Sequence, residues 1–147
     1  MKGNVLVGQS GGPTAAINSS LAGVYKAAKD LEAGKVYGML YGIQGLLDEK
    51  YVDLDKHFNS DMKIELLKRT PSSYLGSCRY KLADYEEDNS DYIKIFNILN
   101  QLEIKFFFYI GGNDSMDTIK KLSDYGEKIK SQVRFIGVPK TIDNDLA

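Results

Sequence analysis

Three short stretches carry residue types suited to phosphate chemistry. They are "GQSGGPTAAIN" from Gly8, "GGNDSMD" from Gly111 and "PKTIDND" from Pro139. In the first, Gly11 and Gly12 present no side chain to obstruct an approaching ligand. Backbone N–H groups at a helix start also favour an anion there. Neither the dinucleotide fingerprint nor a Gly-Lys-Ser/Thr phosphate loop is present, so a tight turn that binds nothing is the alternative. Ser10 and Thr14 would serve equally well as helix caps. In the second stretch Gly111 and Gly112 precede Asn113, Asp114, Ser115 and Asp117. Acids at a helix start favour the dipole, and capping alone would account for one or two of them. The third stretch sets Asp143 and Asp145 either side of Asn144. Asp and Asn are common in turns, but carboxylates this close repel unless a cation lies near. Lys140 is one candidate cation. A divalent ion with oxygen ligands, such as Mg²⁺, is the other. Together, glycine-rich anion loops, paired acids and a lysine describe a phosphoryl-transfer site.

Such loops need a scaffold that brings them together. Four continuous apolar runs read as strands covered on both faces: Asn4–Gly8, Val36–Gly42, Lys105–Gly111 and Val133–Val138. Helical stripes fall between them. Ile17, Leu21, Val24, Ala28 and Leu31 form the first. Ile93, Phe96, Leu99 and Leu102 form the second, and Ile119, Leu122, Tyr125 and Ile129 the third. This alternation predicts an α/β fold with a three-layer, mainly parallel, doubly wound sheet. All three polar loops then follow strands, at the carboxyl edge where such sheets bind ligands. Residues 50–88 are less regular, with a helix expected near Met62–Lys68 and a polar loop after it.

The bulk composition fits one domain. The chain has 147 residues, 43% hydrophobic and 27% charged, with 19 Lys and Arg against 20 acids for a net charge of −1. That balance gives no reason to expect nucleic acid or an anionic membrane as partner. The apolar runs are far shorter than the roughly 20 residues a bilayer requires. The start, "MKGNVLVGQ", is not expected to act as a signal peptide. One cysteine, Cys78, excludes an internal disulfide and suits a cytoplasmic setting. It reads as a small packing residue. His57, the only histidine, reads as a surface residue. Phe106–Tyr109 reads as core strand, and the acidic "DYEEDNSD" from Asp84 as a solvated loop entering a helix.

"SGGPTAAIN", "LGSCR", "GGNDS" and "PKTIDND", in this order, resemble the phosphofructokinases, and their pyrophosphate-dependent branch most closely. The resemblance runs from Val5 to the last residue. It implies a Rossmann-like N-terminal domain and transfer of a phosphoryl group from pyrophosphate to fructose 6-phosphate in glycolysis, with Mg²⁺. It further implies Asp143 as the general base, with Thr141, Ile142 and Asp143 at the sugar phosphate. Gly11, Gly12, Gly112, Asn113, Asp114 and Ser115 would contact the donor, and Arg79 would reach the transferring phosphoryl group. Asn113 and Asp145 would be the metal ligands, although many relatives carry an aspartate where Asn113 stands.

ATP-using relatives usually read "GGDGS" and "PGTIDND". By the resemblance, Asp114 would repel the α-phosphate of a nucleotide, and Lys140 would supply positive charge to departing phosphate. An ATP-dependent kinase of the same family and a non-catalytic phosphate-binding module are the alternatives. Full-length relatives carry a second, sugar-phosphate-binding domain, so residues 1–147 are expected to be the donor-binding part and to turn over little alone. A homo-oligomer is expected of the full-length protein.

Overall fold

The computed structural model describes residues 3–10, 15–58, 60, 62–64, 75 and 80–139. In chain order the elements are β1 (Asn4–Gln9), α1 (Ala15–Asp30), β2 (Val36–Met39), α2 (Gly42–Leu47), β3 (Tyr51–Asp53) and α3 (Leu54–His57). These are followed by α4 (Ser90–Gln101), β4 (Ile104–Gly111), α5 (Asn113–Lys128) and β5 (Arg134–Pro139). The five strands form one sheet in the order β3-β2-β1-β4-β5. β1 runs parallel to β2 and β4, β4 runs parallel to β5, and only β3 is antiparallel.

The strands are apolar throughout because both faces are covered. Leu6, Phe107 and Tyr109 point into one core with Tyr92, Ile95, Phe96, Ile98 and Leu99 of α4 and Ile119, Leu122 and Tyr125 of α5. Val5, Val7 and Ile110 point into a second core with Leu21, Ala22, Tyr25 and Ala28 of α1 and Leu54 of α3. The alternation along β1 and β4 thus feeds two layers of helix on opposite sides of the sheet. Aromatic rings dominate the first layer. Tyr92 and Tyr125 lie 5.0 Å apart, and Phe107 and Phe135 lie 5.2 Å apart, between ring centres. Burial, with nearby Asp84 as the next cause, pushes the Tyr92 hydroxyl up to about 12. That hydroxyl donates to the carbonyl of Ala83 at 2.5 Å.

The expected α/β sheet and its four strands are present, and "GQSGGPTAAIN" does pass from β1 into α1. Several positions differ from expectation. Val36–Gly42 ends as a strand at Met39, because Tyr41 and Gly42 both take left-handed backbone (φ 59° each) and turn the chain into α2. Leu31 and Ile129 are exposed, since α1 stops at Asp30 and Ile129 only caps α5. Ile93 is exposed because the buried stripe of α4 runs through Tyr92, Ile95, Phe96, Ile98 and Leu99, one position out of phase. β3 and α3 fill part of the irregular region, and α2 precedes it. Residues 62–64 are helical, and the rest of the helix expected at Met62–Lys68 lies outside the described residues. His57 is exposed, as expected, and Tyr109 and Phe107 are core. Ser90 begins α4 directly after the exposed acidic loop. Cys78 lies outside the described residues.

Candidate active site at the carboxyl edge of the sheet

The strand order creates the site. From β1 the chain crosses through α1 to β2 on one side, and it later returns to β4 on the other. β1 and β4 are therefore neighbours whose following helices pack on opposite faces, leaving a crevice beyond their carboxyl ends. The register makes the alignment close. Gln9 pairs with Ile110, Ile110 pairs with Val138, and Gly111 pairs with Pro139. The Ser10 N–H extends the ladder by donating to the Ile110 carbonyl at 2.8 Å. All three polar loops thus leave from one row of three adjacent strands, a front about 10 Å wide.

Of the residues singled out in the sequence, Gly112, Asn113, Asp114 and Ser115 are described, at the end of β4 and the start of α5. Gly11, Gly12, Arg79, Lys140, Thr141, Ile142, Asp143 and Asp145 lie outside the described residues; the strands that precede the first and last of these loops are the neighbours just named. Gly112 is the N-cap of α5 and provides no side-chain cap. The first N–H groups of this 16-residue helix have no intrahelical acceptor and face the carboxyl edge. Asn113 and Asp114 are exposed there, while Ser115 is buried. Gly111 admits no side chain: a Cβ would lie 2.1 Å from the Ser115 Oγ and 2.5 Å from the Ser10 carbonyl oxygen. This close approach brings the start of α5 against the exit of β1. Among the described residues no group of three or more His, Cys, Asp or Glu side chains is placed to hold a metal ion.

Residues that the motifs did not flag hold the edge in shape. Gln9 is fully buried at the last position of β1. Its Nε2 donates to Asn18 Oδ1 of α1 at 3.2 Å, and its Oε1 accepts from the Leu75 N–H at 2.8 Å. The Leu75 carbonyl accepts from the Tyr41 N–H at 2.9 Å, and the left-handed turn at Tyr41 aims that N–H at it. Leu75 is itself buried. A polar Gln closing an apolar strand just before a glycine pair was the available signal, because buried amides are held by partners. Replacing Gln9 by Leu removes the acceptor of the Leu75 N–H and the donor to Asn18 Oδ1. The expected loss is about 2 kcal/mol of stability, read as a lower urea midpoint at unchanged slope. An unchanged midpoint would show that the two bonds carry nothing.

The family model described as "Phosphofructokinase" matches residues 4–147. The chain belongs to the phosphofructokinase family. It is 43% identical over 145 residues to the pyrophosphate–fructose 6-phosphate 1-phosphotransferase of Halomonas elongata, covering 97% of this chain and 34% of that one. It is 44% identical over 146 residues to the protein of the same name from Rhodospirillum rubrum, covering 99% of this chain and 34% of that one. A solved structure of pyrophosphate-dependent phosphofructokinase from Nitrosospira multiformis superposes with a TM-score of 0.84 at 39% identity, over 96% of this chain and 34% of that one. This phosphofructokinase chain therefore spans about a third of the length of the curated relatives it matches.

Proposed function

We propose that these residues form the phosphoryl-donor-binding part of a pyrophosphate-dependent phosphofructokinase, which transfers a phosphoryl group to fructose 6-phosphate. The observation that carries this is the shared row from which "GQSGGPT", "GGNDS" and "PKTIDND" depart, together with the names borne by relatives above 40% identity. The uncapped start of α5 and the glycine pairs supply N–H donors for a compact, highly charged anion. Asp143 takes the proton from the sugar 1-hydroxyl as that oxygen bonds to phosphorus. The bond from phosphorus to the bridging oxygen breaks, and orthophosphate leaves beside Lys140. Arg79 spreads its charge over the transferring oxygens. Thr141 and Ile142 lie with Asp143 at the sugar phosphate.

Exposed oxygens at Asn113 and Asp114 suit a hard divalent cation. A helix N-terminus repels a bare cation, so Asn113 and Asp145 would hold Mg²⁺ together with oxygens of pyrophosphate. The ion neutralises phosphate charge when bound. No helix among the described residues is long and apolar enough to cross a membrane. A cytoplasmic, glycolytic enzyme that assembles as a homo-oligomer when full length completes the proposal.

The test is a donor titration on the intact protein with fructose 6-phosphate. Like-charge repulsion of roughly 3 kcal/mol between Asp114 and a nucleotide α-phosphate predicts kcat/KM about a hundredfold higher for pyrophosphate than for ATP. Changing Asp114 and Lys140 together to glycine should move the preference toward ATP. Equal use of both donors by the unaltered protein would overturn the donor assignment.

A further inference from the structure

α5 lies against β5 through two glycine contacts, one near each end of the helix. Near the last turn the helix supplies the glycine. A Cβ on Gly126 would lie 3.4 Å from the Phe135 ring, which is itself held 5.2 Å from Phe107 and 5.6 Å from Phe96 between ring centres. At the first turn the sizes are reversed: the strand supplies the glycine, Gly137, and the helix supplies the bulk. A Cβ on Gly137 would lie 2.5 Å from Sδ and 3.0 Å from Cε of Met116. The thioether therefore rests on the β5 backbone, in the place that a side chain at position 137 would take. With the far end seated on Phe135, Met116 is left to set the height of the near end.

Met116 is also the residue that closes the helix start. Its N–H donates to the Gly112 carbonyl at 3.1 Å. The N–H groups of Asn113, Asp114 and Ser115 come before it and have no acceptor within the helix. A helical side chain leans toward the N-terminus of its own helix, so the thioether supports the turn that bears those donors. Ser115 docks the same turn on its other side, against Gly111 and the Ser10 carbonyl. Two neighbouring side chains thus seat one turn on three adjacent strands. Met116 is half-buried, whereas Leu122 of the same helix is fully buried. Less of the protein's stability therefore depends on Met116, and its effect falls on where the turn sits.

We infer that Met116 is a positioning residue: seated over Gly137, its thioether sets the height at which the first turn of α5 meets β5, and so where the N–H groups of that turn stand for a phosphate ligand. The inference rests on the phosphotransferase reading, in which the start of α5 binds the phosphoryl donor. A hydrogen bond weakens steeply once its length or angle departs from the favoured range, so a shift of about an ångström at the helix start is felt in donor affinity.

The experiment is steady-state kinetics on the intact protein, using whichever of pyrophosphate or ATP it prefers, with calorimetric binding of pyrophosphate alongside. Met116→Ala removes the support and should raise the donor KM about tenfold, with the KM for fructose 6-phosphate within about threefold. Gly137→Ala pushes the thioether off β5 and should raise the donor KM by a similar factor. In the double variant the new methyl at 137 takes the place Met116 has left, and the donor KM should return to within about threefold of the unaltered protein. Leu122→Ala should lower the urea midpoint further than Met116→Ala does and leave the donor KM unchanged. An unchanged donor KM in Met116→Ala would overturn the inference. So would an equal rise in Leu122→Ala, or a double variant in which the two losses simply multiply. Turnover of neither donor by the unaltered protein would sink the phosphotransferase reading instead, and the calorimetry would still compare the same variants.

Discussion

Gly111→Ala is expected to destabilise the protein by about 3 kcal/mol and to impair donor binding at once. The added methyl would sit 2.5 Å from the carbonyl oxygen of Ser10 and 2.1 Å from the hydroxyl of Ser115. Ser115 is buried, and Ser10 is held by its N–H to the Ile110 carbonyl, so neither can simply swing away. The start of α5 must move off β1, and overpacking of this kind costs about 1–3 kcal/mol. With a urea slope of about 2 kcal/mol/M, the midpoint falls by about 1.5 M. The same displacement carries the N–H groups of Asn113, Asp114 and Ser115 away from the crevice, so the KM for pyrophosphate should rise as well. A variant with normal midpoint and normal KM would show that the contact between helix and strand is not required.

Asp143→Asn should have the largest effect on turnover. The amide preserves the shape of the side chain but cannot accept the proton of the sugar 1-hydroxyl. General-base catalysis is worth about a hundred- to ten-thousandfold, and kcat should fall by that amount with KM for fructose 6-phosphate nearly constant. Turnover within about tenfold of the unaltered protein would remove Asp143 from the role of base.

The strands were legible wherever the sheet is covered on both sides. β1 and β4 read as unbroken apolar runs because Val5, Val7 and Ile110 face one layer while Leu6, Phe107 and Tyr109 face the other. β3 was not legible. Tyr51, Val52 and Asp53 form a three-residue, half-exposed edge with no run to detect. α2 was hidden by its own glycines. Gly45 suits a tight turn in the sequence, yet it is helical, and a Cβ there would lie 1.6 Å from the Leu40 carbonyl oxygen. The α4 stripe failed by one position at Ile93, since the rich apolar content of "YIKIFNIL" allows two phases and only packing against Tyr125 and Phe135 selects one.

The site divided in the same way. The glycine pairs and acids marked three candidate anion loops by residue type alone, and of these the start of α5 lies within the described residues. That β1 and β4 are adjacent, and that the loops start from one row, depends on strand order, which local pattern does not encode. Gln9 was invisible as an anchor because one of its partners, Leu75, is remote in sequence.

Two bonds of the Gln9 amide differ greatly in reach: 9 positions to Asn18 and 66 to Leu75. Closing the longer loop costs about 1.8 kcal/mol more chain entropy than closing the shorter. The contact with α1 is therefore the cheaper to close, whereas the one with Leu75 ties the end of β1 to a residue beyond β2, α2, β3 and α3. The shape of this edge thus depends on a long-range closure across the domain, and a change far along the chain near Leu75 would be felt at the end of β1.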